Sequence, residues 1–196
     1  LPTLVKRRAR DTGEVSIGTE QLTEDECIRD TSIEALRSLA PVFAPNGVIT
    51  IAGTTNATNY PTTAGALQSM FQGGSIDGTV TRLDPSRVGL QQLVYATLLG
   101  GSGDDLPEDV TIGFSGELVV VGYSDSPNLP TSANCWDPTV SSGGSAFVTQ
   151  LDPTLTGAQQ LAFGTYLGGT ASDDARAVEV DVLGRITVVG YAESTN

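Results

Sequence analysis

The sequence predicts an all-β fold built from a repeated unit of short antiparallel strands. Three observations lead to this prediction. The 196 residues include 23 glycines and 10 prolines, which supply the many turns that short strands require. The strand candidates are runs rich in Val, Ile, Thr and Tyr, bounded by Gly, Pro, Asn or Asp. Blocks of sequence also recur along the chain, which indicates that one structural unit is used repeatedly.

The repeat is carried first by segments that open on Gly47, Gly116 and Gly184, spaced 69 and then 68 residues apart. Each segment continues as an apolar run that ends in glycine followed by Thr or Tyr. Further blocks match downstream in the same order: 60–63 with 129–132, 80–85 with 148–153, 91–101 with 159–169, and the aspartate pair 104–105 with 173–174. Chance does not produce this order and spacing, so we predict repeated structural units.

Each unit contains four strand candidates, which are clearest in the second copy. They run near Asp109–Phe114, Glu117–Tyr123, Ser145–Leu151 and Gln160–Leu167. Ser115-Gly116 predicts a tight hairpin between the first two. Asp152-Pro153, like Asp84-Pro85, ends the third strand because proline does not continue a ladder. The long stretch 125–142 is predicted to be a surface loop.

The predicted organisation has four parts: an N-terminal segment at 1–35, repeat units at 36–103 and 104–171, and a partial unit at 172–196. The first part combines a basic tail with a short irregular or helical segment. Thr23 is a helix-cap candidate with Glu26 three residues on. For Leu39–Phe43 we favour a strand over a continuation of that helix.

A β-propeller blade consists of four antiparallel strands, and here four strand candidates with glycines at their boundaries recur along the chain. The sequence therefore predicts β-propeller-like blades in an incomplete propeller, since closed propellers have about 4–8 blades. Three explanations stay open: an excerpt of a longer protein, which we favour, an assembly of several copies, or an open array of stacked blades. An open array exposes sheet edges that accept a strand from a partner.

Composition excludes several classes of function. The net charge is −13 with a single lysine, which argues against nucleic-acid binding. The chain has no histidine, so Ser-His-Asp and Cys-His catalysis and His-ligated metal sites are excluded. No apolar run has the length of a membrane span, so we expect no membrane insertion. Together these features predict a protein that is not an enzyme.

Paired carboxylates are the sharpest polar feature of the sequence. Asp104, Asp105, Asp173 and Asp174 are candidate calcium ligands, because Ca²⁺ takes six to eight oxygen ligands and a flexible glycine loop can present several. The competing interpretation is that these aspartates accept hydrogen bonds from backbone amides in the turn before a strand. We favour the turn interpretation and expect no cofactor, with calcium as the alternative.

Three further positions are candidate sites. Trp136, the single tryptophan, replaces Leu67 of the first copy, so it either fills the same apolar slot, which we favour, or contacts a ligand. Cys27 and Cys135 are a disulfide candidate that would tether this loop to the N-terminal segment, and two cysteines are weak evidence for an oxidising compartment. Asn56, in Asn-Ala-Thr, is a glycosylation candidate.

The motifs resemble those of SBBP repeats, the β-propeller repeats of bacterial and archaeal surface or secreted proteins. The resemblance rests on Tyr-Leu-Gly-Gly at 166–169 and the following Asp-Asp, on the Gly-x-x-x-Val-x-Gly-Tyr strand, and on the blocks at 61–68 and 73–77. It covers about residues 36–196 and implies four-stranded blades with no known catalytic residues. The sequence departs from the pattern at 133–137, and Ser145 stands where the first copy has Asp77.

These observations predict a non-catalytic, secreted or cell-surface β-propeller module with a structural, adhesive or protein-interaction role in a larger assembly. Its expected partners are other protein chains or further blades of the same polypeptide. The alternative is a carbohydrate-binding or carbohydrate-cleaving propeller that uses surface carboxylates and Trp136, in which case a glycan is the partner.

Overall fold

The computed structural model describes residues 3–8, 15–20 and 47–194, which consist of strands, turns and loops. In chain order the strands are β1 (Thr3–Arg8), β2 (Val15–Glu20), β3 (Ile49–Thr55), β4 (Asp77–Leu83), β5 (Leu93–Leu99), β6 (Asp105–Ile112), β7 (Leu118–Ser124), β8 (Ser145–Leu151), β9 (Leu161–Leu167), β10 (Asp173–Val180) and β11 (Ile186–Ala192). The helical elements among the described residues are two 3-10 turns, Gly89–Gln92 and Gly157–Gln160. The all-β prediction is confirmed.

Among the described residues, every strand pairing is antiparallel and joins strands that are neighbours in the chain. The first compact unit, Leu1–Val42, contains the hairpin of β1 and β2. In the second unit, Phe43–Asn196, residues 47–194 are described and form three sheets, which we call sheet 1 (β3-β4-β5), sheet 2 (β6-β7-β8-β9) and sheet 3 (β10-β11).

Sheet 2 contains the four strands that the sequence predicts for one unit. β7, β8 and β9 agree with their predicted bounds to within one residue. The first strand is displaced: β6 begins at Asp105, four residues before the predicted start, and ends two residues early. It extends through Pro107 because β6 is an edge strand with a β-bulge between Pro107 and Asp109, where a missing backbone N–H is tolerated.

The predicted hairpin between the first two strands of sheet 2 is confirmed. The N–H of Gly116 donates to the carbonyl of Gly113 at 3.0 Å. Gly116 has a φ of 92°, in the left-handed region that a side chain disfavours, so glycine is the suitable residue there. β4 and β8 are the strands matched to the third strand of the predicted unit. They end immediately before Asp84-Pro85 and Asp152-Pro153, as predicted.

The core lies between sheets that stack face to face. One apolar cluster joins sheet 1 to the first face of sheet 2, and its members include Val80, Tyr95, Leu99, Leu118, Val120, Phe147, Leu151 and Tyr166. A second cluster joins the other face of sheet 2 to sheet 3, with Val119, Val121, Ala146, Val148, Ala175 and Val178. Successive residues of β7 therefore face opposite neighbours, as the two-residue period of a strand requires, and Leu118–Val121 are all apolar because both faces of the strand are covered.

The N-terminal unit differs in part from expectation. Residues 3–8, which include most of the predicted basic tail, form β1 and pair with β2, where the sequence analysis assigned no strand. The helix and strand alternatives for residues 23–43 lie outside the described residues, as does Cys27. Among the described residues no helix is both long and apolar enough to cross a membrane.

Candidate functional site

Two buried aspartates begin the first strands of sheets 2 and 3. Asp105 is fully buried, and its carboxylate accepts hydrogen bonds from the Gly101 N–H at 2.7 Å and the Ser124 and Ser126 hydroxyls at 2.5 and 2.7 Å. Asp173 accepts corresponding bonds from the Gly169 N–H at 2.8 Å and the Ser194 hydroxyl at 2.6 Å. Both aspartates fix the turn that precedes their strand, as the turn interpretation predicts.

The structure corrects the matching of the two aspartate pairs by one residue. Asp105 opposes Ser124 and Asp173 opposes Ala192 at the same place in their sheets, so Asp105 corresponds to Asp173. The order of the residues within the pairs had matched Asp104 to Asp173, and this match is wrong. Counting from the preceding Gly-Gly pairs would have given the correct match, because each buried aspartate is the fifth residue after the first glycine.

Asp104 and Asp174, the other members of the pairs, have different partners. Asp104 Oδ1 accepts the N–H of Ser75 at 2.5 Å and so holds the chain before β4. Asp174 forms an ion pair with Arg176 at 2.6 Å. In the described part of the chain, no group of three or more His, Cys, Asp or Glu side chains is arranged to hold a metal ion. The calcium hypothesis gains no support from these contacts.

Asp77 brings a second buried carboxyl group close to Asp105. Both side chains are fully buried. Asp77 Oδ2 accepts the N–H of Gln72 at 2.6 Å, whereas Asp77 Oδ1 has no hydrogen-bond partner. Asp77 Oδ1 and Asp105 Oδ2 lie 2.7 and 3.0 Å from the point that a Cβ on Gly100 would occupy, so these oxygens are at most 5.7 Å apart. Gly100 is required here, since a side chain would collide with both carboxyl groups.

This proximity and burial change the acidity of the pair. Loss of solvation on burial raises the pKa of Asp77 and of Asp105, and the charge of Asp77 raises the pKa of Asp105 further. In sheet 2 the position matched to Asp77 is Ser145, whose hydroxyl accepts the N–H of Ser141 at 3.0 Å. The Ser145 hydroxyl thus accepts a backbone N–H from the preceding loop, as the Asp77 carboxylate accepts that of Gln72, but it carries no charge.

Gln160 is a residue that the sequence analysis missed. It is buried, and its Oε1 accepts the Leu67 N–H at 3.1 Å and the Tyr95 hydroxyl at 2.9 Å. Its Nε2 donates to the carbonyls of Gly65 at 2.6 Å and Leu155 at 3.1 Å. One side chain therefore ties sheet 2 to a strand and a loop of sheet 1. The repeat pattern did not predict these bonds, since residues at matched positions of a repeat do not need to contact the same groups.

Trp136 is an exposed residue of the loop between β7 and β8. Its side chain is 81% exposed, whereas Leu67, its counterpart in the first copy, packs against the cluster between sheets 1 and 2. The Leu67 N–H is bonded to Gln160 of the following unit, and the third unit of the sequence, 172–196, does not include the position matched to Gln160. Both interpretations of Trp136, packing in the matched slot and contact with a ligand, therefore stay predictions.

The remaining predicted positions stay predictions. Cys135 is half-buried and has no disulfide partner among the described residues, and Cys27 lies outside them. Asn56 is exposed in the loop that follows β3. Among the aromatic residues of the strands, Tyr95 and Tyr166 are buried between sheets, whereas Tyr191 is 59% exposed.

Strand β11 borders an apolar cleft. Sheet 3 contains two described strands, whereas β7, the counterpart of β11, is paired on both edges in sheet 2. Beside β11 lies a cleft of about 310 Å³ whose lining includes Leu167, Val188 and Gly190. Val189, on the opposite face of β11, is 59% exposed. Both faces of this strand therefore present apolar surface.

Comparison with models of known protein families and with curated proteins finds no match for this chain. The resemblance to SBBP repeats consequently rests on its motifs.

Proposed function

We propose that this protein is a non-catalytic structural or protein-interaction module that acts outside the cytoplasm, and that its sheets are blades of a β-propeller type. The observation that carries the proposal is the apolar character of the two outward sheet faces. Ile49 and Ile51 on sheet 1 are 50% and 44% exposed, and Val189 on sheet 3 is 59% exposed. Apolar faces of this kind mark sites of protein contact.

The internal interfaces support this proposal. Val121, the counterpart of Val189, is fully buried against sheet 3, so an equivalent position is already used for sheet-to-sheet contact within the chain. The absence of histidine and the use of Asp105 and Asp173 in turns favour a role without catalysis. The acidic composition and the motif resemblance favour a secreted or surface location.

Site-specific photo-crosslinking in the producing cells tests the proposal. A photoreactive residue at Val189 should give adducts with defined protein chains, recovered from the cell surface or the medium. The same residue at Ser86, in an exposed turn, is the matched control and should not give these adducts. Equal labelling from both positions, or adducts with cytoplasmic proteins alone, would show that the outward face is not an interaction surface of an exported module.

Glycan binding is a second candidate, favoured by the exposure of Trp136. Aromatic side chains in solvent provide large rigid contact surfaces for ligands. A glycan array probed with the wild-type protein and with Trp136→Ala tests this function. Binding that the substitution removes supports it, and the lack of binding to any glycan rejects it. Cleavage has less support, since the matched carboxylates Asp105 and Asp173 are occupied by hydrogen bonds in turns.

A further inference from the structure

We propose that one end of the sheet stack is a contact site for a phospholipid bilayer, into whose interface the turns at that end insert apolar side chains. The contact is peripheral, since only residues of turns enter the lipid. It involves a different surface from the outward sheet faces of the proposed function, and it therefore goes beyond that proposal.

The turns concerned all lie at the same end of sheets 1, 2 and 3. At the other end the first residues of β4 and β6 meet, because the Asp105 N–H donates to the carbonyl of Ile76 at 3.0 Å. Loops of sheets 2 and 3 also meet there, where the Ser141 hydroxyl donates to the carbonyl of Ala171 at 3.0 Å. The antiparallel strands therefore carry four turns to the opposite end, which we call the turn end: 84–92, 113–117, 152–160 and 181–185.

Apolar side chains are exposed in each of these four turns. They are Val88 and Leu90 in sheet 1, Phe114 and Leu155 in sheet 2, and Val182 and Leu183 in sheet 3. Phe114 is 83% exposed although both faces of sheet 2 are covered, so its exposure does not come from the lack of a neighbouring sheet. Exposed apolar residues that gather at one end, instead of being scattered singly, mark an interaction site.

The hairpins of sheets 2 and 3 present their apolar side chains in the same way. Turns 113–117 and 181–185 are closed by the same two backbone bonds, from the first residue to the carbonyl of the fifth and from the fourth to the carbonyl of the first, at 2.8 to 3.0 Å. Phe114 and Val182 are thus the second residue of their turn. Stacked sheets are about 10 Å apart, so these two side chains project side by side. The bonds within the turns also reduce the cost of moving the backbone out of water.

The spacing of the apolar side chains favours a bilayer over a protein as the partner. Exposed polar residues such as Ser86 and Ser115 separate them, so the turn end lacks the continuous apolar core that a protein interface buries. A fluid bilayer interface accepts separate apolar side chains, and each contributes according to the area that it buries.

The charges of the turn end indicate which lipid it fits. Arg87 pairs with Asp84 at 2.8 Å, and Arg185 pairs with Asp181 at 2.6 Å, within their own turns. The described loops at the other end contain no lysine or arginine, so the turn end is the less acidic of the two. A zwitterionic headgroup also carries both signs of charge, whereas an anionic lipid is repelled by a chain of net charge −13. The expected partner is therefore a zwitterionic phospholipid.

Vesicles of phosphatidylcholine are the probe, and flotation of the intact chain with them on a density gradient measures binding. Phe114→Ser should weaken binding about tenfold relative to the wild type, since one aromatic side chain no longer leaves water. Met70→Ser is the matched control, because Met70 is an exposed apolar residue in the loop between β3 and β4, at the other end of the stack. It should bind as the wild type does. No binding of the wild type at millimolar lipid, or equal losses from the two substitutions, would overturn the proposal.

A tryptophan reporter tests whether the turn enters the lipid. In a Trp136→Phe background, Phe114→Trp should show a blue shift of its emission when vesicles are added, and quenching by lipids brominated on their acyl chains. Met70→Trp in the same background is the control and should show neither change. Equal quenching at the two positions would contradict insertion through the turn end.

The remaining outcomes separate a bilayer from a protein partner, and this inference from the proposed function. Stronger binding to vesicles with added anionic lipid would contradict the apolar basis of the contact. If vesicles do not bind but a photoreactive residue at Phe114 forms adducts with defined protein chains in the producing cells, the turn end is a protein contact and the lipid proposal fails. Because Val189 lies on a sheet face, its crosslinking tests the proposed function whichever result the vesicles give.

Discussion

Replacing Asp77 with asparagine should stabilise the protein at neutral pH. Asp77 is buried with one carboxylate oxygen that lacks a hydrogen-bond partner and with Asp105 nearby. In Asp77→Asn the amide oxygen keeps the bond from the Gln72 N–H, and the new NH2 group can donate to Asp105. Leaving a buried acceptor unpaired costs about 1–3 kcal/mol, so we expect a gain of that order at pH 7. For a domain of this size each kcal/mol raises the melting temperature by about 2–4 °C.

The raised pKa of Asp77 determines how the effect of Asp77→Asn on stability changes with pH. A carboxyl group whose pKa is raised in the folded state stabilises that state below its ordinary pKa of 3.8, and this contribution is lost as pH rises through the raised value. The stabilising effect of Asp77→Asn should therefore be small near pH 3 and grow toward neutral pH. Asp84, whose pKa is lowered by hydrogen bonds from Ser86, is the control. Asp84→Asn should lose stability above pH 4, in the opposite direction.

The assay is urea unfolding of the wild type and of both asparagine variants of the pair between pH 3 and pH 8. Asp105→Asn should destabilise by about 1–3 kcal/mol, because the carboxylate of Asp105 accepts three hydrogen bonds and an amide replaces one acceptor with a donor. If Asp77→Asn is as destabilising as Asp105→Asn at pH 7, the assignment of Asp77 as the partnerless member of the pair is refuted.

Three further results follow from the contacts described above. Gln160→Ala should lower the free energy of unfolding in urea by about 3 kcal/mol or more, because four groups lose their hydrogen bond to this side chain. The control is Gln159→Ala at an exposed neighbouring position, which should change the free energy of unfolding by no more than about 0.5 kcal/mol. Similar losses for the two variants would contradict the role of Gln160 in joining the sheets. Burial raises the pKa of Tyr166 to about 12, so ultraviolet titration should show its phenol ionising at a higher pH than an exposed tyrosine. The folded state should lose stability as pH rises through that value, and Tyr166→Phe should remove this pH dependence. Trp136 should be quenched by acrylamide in the native protein nearly as fully as in urea, and strong protection would contradict its exposure.

The sequence predicted the parts of the fold that depend on local pattern. Alternation and turn residues located β7, β8 and β9 to within one residue, because their ends are marked by glycine or by Asp-Pro. The start of β6 was missed, since a proline inside a strand argues against the strand unless its position at a sheet edge is known. Edge position is a property of the assembled sheet.

The candidate site was less predictable, because its contacts join residues far apart in the chain. The sequence identified Asp105 and Asp173 as notable, but not that Asp77, in the neighbouring sheet, lies beside Asp105. The departure at Ser145 was the one available signal, since it marks a place where two units differ in charge. Trp136 was matched to Leu67, but an alignment does not show whether the neighbour that Leu67 contacts, Gln160 of the following unit, has a counterpart beside Trp136.

Sheet 2 is covered on both faces, and this affects the order in which parts of the molecule unfold. Each sheet of such a stack draws its stability from contact with its neighbours, so the free energy of local opening should fall from the middle of the stack toward its ends. Amides of β7 and β8 should then exchange with deuterium through global unfolding, and those of β11 through fraying of the terminal sheet. Partners that cover the end sheets would thus extend the cooperative unit as well as bind to it.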